Sequence, residues 1–100
     1  MLKLKNKICL VTGGTGLIGQ EIVHEFLGQG AIVIFTYNQN SNKAKKLCAS
    51  NEKLYCHKMN IKQKSSIKNV FKYIENRFKK LDVIVNNAGI NKPTDFDKIK

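Results

Sequence analysis

One hundred residues, 42% of them apolar and 25% charged, make a chain of ordinary globular composition with room for one domain and one modest core. No run reaches the ~18 apolar residues of a membrane-spanning helix, and the stretch from Ile8 to Val11 is too short for a secretory leader before Gly13-Gly14 breaks it. The net charge of +11 is uneven, with twelve bases and two acids in residues 41–80 and three of each in the last twenty residues.

In chain order, residues 7–12 read as a first strand stopped by glycines. Leu17, Ile18, Ile22, Val23, Phe26 and Leu27 then recur at three- and four-residue spacing, the signature of one helix face. Gly28 and Gly30 end that helix, and the nearly all-apolar residues 31–36 form a second strand. Ser41 is placed to cap a short helix that turns Ala44, Leu47 and Cys48 inward. A weaker strand follows over 53–59. Ile67, Val70, Phe71, Ile74, Phe78 and Leu81 give the strongest helical period in the chain, with Lys64, Lys68, Lys72 and Lys79 on its solvated sides. Residues 81–86 make a fourth strand, closed by Asn87-Ala88-Gly89.

The order β-α-β-α-β-α-β, with strands apolar on both faces, predicts an α/β fold with a parallel, doubly wound sheet. With strands ordered 3-2-1-4, the fourth would keep an open edge and an uncovered apolar surface on one side.

Between the first strand and first helix, Gly14, Gly16 and Gly19 match G-x-G-x-x-G in the strand-turn-helix setting that gives the pattern meaning. Glycines allow a tight turn and let the backbone approach a pyrophosphate, to which a helix N-terminus presents unpaired N–H groups and partial positive charge. A tight β-α turn with no ligand would use glycines too. Gln20-Glu21 after Gly19 excludes a Walker loop, which needs Lys and Ser or Thr there. The pattern therefore predicts a Rossmann-type dinucleotide fold.

An acid at the end of the second strand often bonds the adenosine ribose 2′-hydroxyl. Here Thr36-Tyr37-Asn38 ends that strand, no acid occurs between Gly30 and Glu52, and Lys43, Lys45 and Lys46 follow shortly. Without a carboxylate to repel a 2′-phosphate, NADP(H) is favoured over NAD(H). The alternative is a neutral end that bonds either cofactor through Asn38.

Cys9, Cys48 and Cys56 are an odd number with no C-x-x-C pair, which suits free thiols in a reducing, cytoplasmic setting better than a disulfide framework. Cys9 falls inside an apolar run and reads as core. Cys56-His57 has no second ligand pair at zinc spacing, so no metal site is assigned. His24 is placed on a helix flank. The basic block of residues 41–80 fits nucleic acid or another polyanion, but eleven asparagines favour a plain lysine- and asparagine-rich composition.

The glycine turn, the apolar second strand and Asn86-Asn87-Ala88-Gly89 at the end of the fourth strand together resemble the short-chain dehydrogenase/reductase family. The likeness is nearest to its common single-domain branch, which includes 3-oxoacyl-carrier-protein reductases, and it spans essentially the whole chain. It implies that Gly13, Thr15, Gly16 and Ile18 line the pyrophosphate and adenosine ribose, with Gly19 packed under the first helix. Asn38 would stand near the ribose 2′ position and Asn60-Ile61 at the adenine edge. Asn87, Ala88 and Gly89 would border the cofactor ribose, Asn87 also tying the central strands together. Departures are visible. Leu17 stands where the common branch has Gly, Asn60 where the family usually has Asp, and the glycine turn lacks the basic residue of many NADP-dependent members.

The family's chemistry rests on Tyr-x-x-x-Lys with a Ser and an Asn. Four residues after Tyr37, Tyr55 and Tyr73 stand Ser41, Met59 and Arg77, so no tyrosine here fits and no catalytic residue is assigned. By the resemblance, residues 1–100 are expected to be the cofactor-binding N-terminal half of a reductase, inactive alone. The carbonyl or alcohol substrate would be met only in a full-length form, whose relatives form homo-oligomers. Two other readings stay open: a non-catalytic nucleotide-binding piece completed by a partner, and a basic nucleic-acid binder, disfavoured because no such motif is present.

Overall fold

The computed structural model describes residues 3–87. Its elements are β1 (Ile8–Val11), α1 (Leu17–Gly28), β2 (Ile32–Tyr37), α2 (Ser41–Ala49), β3 (Leu54–Lys58), α3 (Lys64–Phe78) and β4 (Val83–Val85). The strands form one parallel sheet in the order β3-β2-β1-β4, with Ile8 beside Ile32, Cys9 beside Val83 and Val33 beside Leu54. Both the alternation and the strand order read from the sequence are present.

Strand alternation divides the core into two layers. Cys9, Val11, Val33 and Phe35 face the side covered by Val23 of α1 and Ala44 of α2. Ile8, Leu10 and Ile34 face the side covered by Val70 and Ile74 of α3. Helices therefore lie on both faces, which is why β1 and β2 are continuously apolar. Val83 and Val85 of β4 pack on the first layer, while Ile84 points to the other and is 55% exposed. Among the described residues no helix covers β4 on that side. No helix there is long and apolar enough to cross a membrane.

Three sequence expectations shift. Leu17 and Ile18 are exposed, so the inward face of α1 starts at Gly19 rather than Leu17. Asn40, in the left-handed conformation (φ 64°), precedes α2 as its cap without a side-chain cap bond, and Ser41 is the first helical residue. Phe71 is 41% exposed, because the buried stripe of α3 runs through Val70 and Ile74 with Ile67 and Phe78 at its flanks. The helix stops when Lys79 turns left-handed (φ 69°), leaving Leu81 beyond it.

Asp82 fixes the entry to β4. Its Oδ2 accepts the Ile8 N–H at 2.8 Å and its own N–H donates to the Ile8 carbonyl at 2.8 Å. The Ile8 hydrogen bond, aided by the Lys80 ammonium 3.3 Å away, holds the Asp82 carboxyl below its ordinary value, although burial opposes them. A lowered folded pKa gives stability that is present above the unfolded value and lost as pH falls through the folded one. Urea midpoints should therefore decline as pH drops below the usual carboxylate range, and Asp82→Asn should flatten that decline.

Candidate functional site

The carboxyl ends of β1, β2 and β4 meet at the glycine turn, residues 12–16. Four glycines in and beside this turn answer to different local demands. Gly13 has φ 71°, a left-handed conformation that costs a residue with a Cβ roughly 1–2 kcal/mol. At Gly14 a Cβ would fall 2.5 Å from Phe35 Cβ, and at Gly19 it would run into the Gly13 carbonyl oxygen. Those positions are set by packing: the turn lies directly on β2, and α1 lies directly on the turn. Gly16 differs from all three. Its φ is −75°, ordinary for any residue, and a Cβ there would meet nothing within 4 Å.

Hydrogen bonds from all sides hold the turn. Gly13 N–H donates to Thr36 Oγ1 at 3.1 Å, and Gly14 N–H donates to the Thr36 carbonyl at 3.0 Å. Asn87 Nδ2 donates to the Gly13 carbonyl at 3.0 Å, tying β4 to the turn, while Gln20 Nε2 donates to the Thr15 carbonyl at 2.8 Å. Thr12 Oγ1 donates to Asn86 Oδ1 at 3.1 Å. Thr36 is 1% exposed, so its hydroxyl is a built-in acceptor rather than a surface group.

Above the turn lies an open depression of about 350 Å³, lined by Gly13, Thr15, Gly16, Asn38, Gln39, Asn40 and Asn87. Its volume is at the small end of the ~300–1,000 Å³ of small-molecule sites. No charged side chain is among these lining residues. The first turn of α1 opens at its edge, where Gly16 caps the helix without a side-chain bond, and the first N–H groups of a helix have no helical acceptor. An anion placed there meets backbone donors and the positive end of a helix.

Five of the residues singled out in the sequence, Gly13, Thr15, Gly16, Asn38 and Asn87, are thus brought to one depression. Ile18 is 59% exposed on the first turn of α1, and Gly19 is buried beneath the turn. Asn60 and Ile61 follow β3 at the same end of the sheet but do not line the depression. The Asn60 side-chain oxygen accepts the Lys62 N–H at 3.0 Å, the Asn60 backbone N–H donates to Ser66 Oγ at 2.8 Å, and Ile61 is 38% exposed. Ala88 and Gly89 lie outside the described residues. Sequence reasoning missed Gln39 and Asn40 in the wall and Thr36 beneath it. Position after β2 was the available signal for Gln39 and Asn40; Thr36 looked like one more strand residue.

A parallel sheet with helices on both faces, and a glycine turn and depression beyond its strand ends, has the architecture of nucleotide-binding α/β proteins. The short chain dehydrogenase family model matches residues 7–100. The chain belongs to the short-chain dehydrogenase/reductase family, a family of oxidoreductases that use NAD(P) cofactors.

Among curated relatives, a 3-oxoacyl-acyl-carrier-protein reductase, FabG, of Haemophilus influenzae is 35% identical over 89 residues, covering 89% of this chain and 37% of that protein. (+)-Borneol dehydrogenase 2 of Salvia officinalis is 33% identical over 96 residues, covering 92% of this chain and 33% of that protein. A solved structure described as a 3-oxoacyl-reductase from Bacillus thuringiensis superposes with a TM-score of 0.79 at 22% identity, covering 84% of this chain and 36% of that one. The chain therefore spans about a third of the length of these relatives.

Proposed function

We propose that this chain binds the adenosine, pyrophosphate and ribose portion of a nicotinamide dinucleotide at the glycine turn, as the cofactor-binding part of a short-chain reductase. Gly16 carries the reading. Neither its backbone angle nor its packing requires a glycine, yet it lines the depression beside the free end of α1. A glycine demanded by nothing within the protein fits a backbone that must approach a ligand closely.

Backbone N–H groups of the turn and the first turn of α1 would hold the pyrophosphate, Asn38 to Asn40 would border the adenosine ribose, and Asn87 the far side. The dinucleotide supplies hydride chemistry when bound. The protein's part in this region is to orient it and keep its phosphates on fixed dipoles. NADP(H) is favoured over NAD(H), because the wall of Asn38, Gln39 and Asn40 is uncharged. A full-length form is proposed to act in the cytoplasm on a small carbonyl or alcohol. Tyr-x-x-x-Lys is absent from these 100 residues, so residues 1–100 are proposed to bind cofactor without turning over substrate.

Calorimetric titration with NADPH tests this. Gly16→Val should lower the unfolding free energy by no more than about 1 kcal/mol, the cost of a poorer N-cap, while weakening NADPH at least tenfold. Equal affinity in the two proteins would contradict the placement at the turn.

A further inference from the structure

Residues 53–74 contain six lysines and no acid, and α3 gathers part of that charge into a line. At about 100° per residue, Lys64, Lys68 and Lys72 fall within roughly 80° of one another. All three are exposed, on the side of the helix away from the buried Val70 and Ile74. The line runs against the helix's own electrostatics. Like charges four residues apart repel. Lys64 opens α3 at the positive end of its dipole, and no acid stands in the first turn. Among the described residues none of these lysines has a carboxylate partner; the ion pair there joins Lys80 to Asp82. Phe71, three residues after Lys68, borders the line and is 41% exposed. The other border is the uncharged Ser65, Asn69 and Asn76, all exposed.

We propose that the outer face of α3 binds a single-stranded nucleic acid, its phosphates along Lys64, Lys68 and Lys72 and a base stacked on Phe71. Two features of the folded helix carry the inference, since the sequence holds no nucleic-acid motif. Mutual repulsion along α3 is unrelieved within the protein, and anions laid on the line would relieve it. The lysines rise in steps of about 6 Å, close to the spacing of successive phosphates in an extended strand. A ring left in water beside those charges supplies the second half of the recognition, because every base has a flat face to lay on it. An acidic peptide has the charge without the flat faces. A lipid surface would engage a broad basic face, whereas this one is a single lysine wide with an amide border. The helix covers the opposite side of the sheet from α1 and α2, so the strand and the dinucleotide would occupy separate places.

Fluorescence anisotropy with the 100-residue chain and a labelled oligothymidylate of about twelve nucleotides tests the proposal. Affinity should fall with salt on a log–log slope of about −2, as for three phosphates of a single strand. Changing Lys64, Lys68 and Lys72 together to Gln should weaken binding at least about tenfold and flatten the slope. A matched triple, Lys3, Lys5 and Lys7 to Gln, removes as much charge and should cost less than about threefold. Phe71→Ala should lose at least about fivefold, and Phe71→Tyr, which keeps the ring, should bind like the parent. Saturating NADPH should not displace the strand. No measurable binding, equal losses from the two lysine triples, or an unchanged affinity in Phe71→Ala would each overturn the proposal. So would displacement by NADPH, or equal or tighter binding to polyglutamate or to phosphatidylserine vesicles.

Discussion

Gly19→Ala is expected to cost the chain about 2 kcal/mol, a roughly thirtyfold shift toward the unfolded state. Two effects of opposite sign compete. Alanine gains ~0.5–1 kcal/mol over glycine within a helix, and Gly19 is helical. Against that, its Cβ would overlap the Gly13 carbonyl oxygen and press on the Gly14 Cα and the Gly13 carbonyl carbon. These are backbone atoms with no flexible end to swing away. Gly13 is held on its other sides by Thr36 and Asn87, so the turn cannot retreat without breaking those bonds. Overpacking of this kind costs ~1–3 kcal/mol and should outweigh the helical gain. Gly28, in the same helix, has no left-handed φ, and a methyl group added there would meet nothing within 4 Å. Gly28→Ala should therefore stabilise by up to ~0.5 kcal/mol. Urea unfolding of the two variants should give opposite signs; matching signs would mean that helix propensity, not contact with the turn, governs position 19.

Asn38→Asp should invert cofactor preference. Asn38 follows β2 and lines the depression where the ribose 2′ position is proposed to lie. A carboxylate about 4 Å from a 2′-phosphate would face repulsion of roughly 1–4 kcal/mol per pair of unit charges at the dielectric of a protein surface. The same carboxylate would accept a hydrogen bond from a free 2′-hydroxyl, worth about 1.5 kcal/mol or more because the acceptor is charged. The ratio of NADPH to NADH affinity should consequently fall by about a hundredfold, with loss on one side and gain on the other. Isothermal titration with each dinucleotide measures both limbs. An unchanged ratio would mean that the 2′ position lies elsewhere, and the neutral wall of Asn38, Gln39 and Asn40 would then carry no information about phosphate.

How far the sequence led depends on the range of the interaction. The glycine turn and the strand order were legible because strand, turn and helix signals are local and the parallel crossover pattern constrains their assembly. Thr36 was not, since its importance comes from two hydrogen bonds to Gly13 and Gly14 across some twenty residues. Leu17 and Phe71 fitted the helical period yet emerge into solvent; period identifies a stripe but does not show where the neighbouring layer ends. The glycine pattern was legible as a whole, whereas the separate demands on its members emerge only in the folded chain. Left-handed φ falls on Gly13, outside the G-x-G-x-x-G itself, and freedom from any internal demand falls on Gly16.

Amide hydrogen exchange on the 100-residue chain, with and without saturating NADPH, tests the proposed site most directly. Added protection is expected over residues 13–19 and 38–40, with little change along α3 on the sheet's other face. Protection confined to the lysine-rich α3, or NADPH binding that leaves the glycine turn exchanging at its free rate, would contradict binding at the turn.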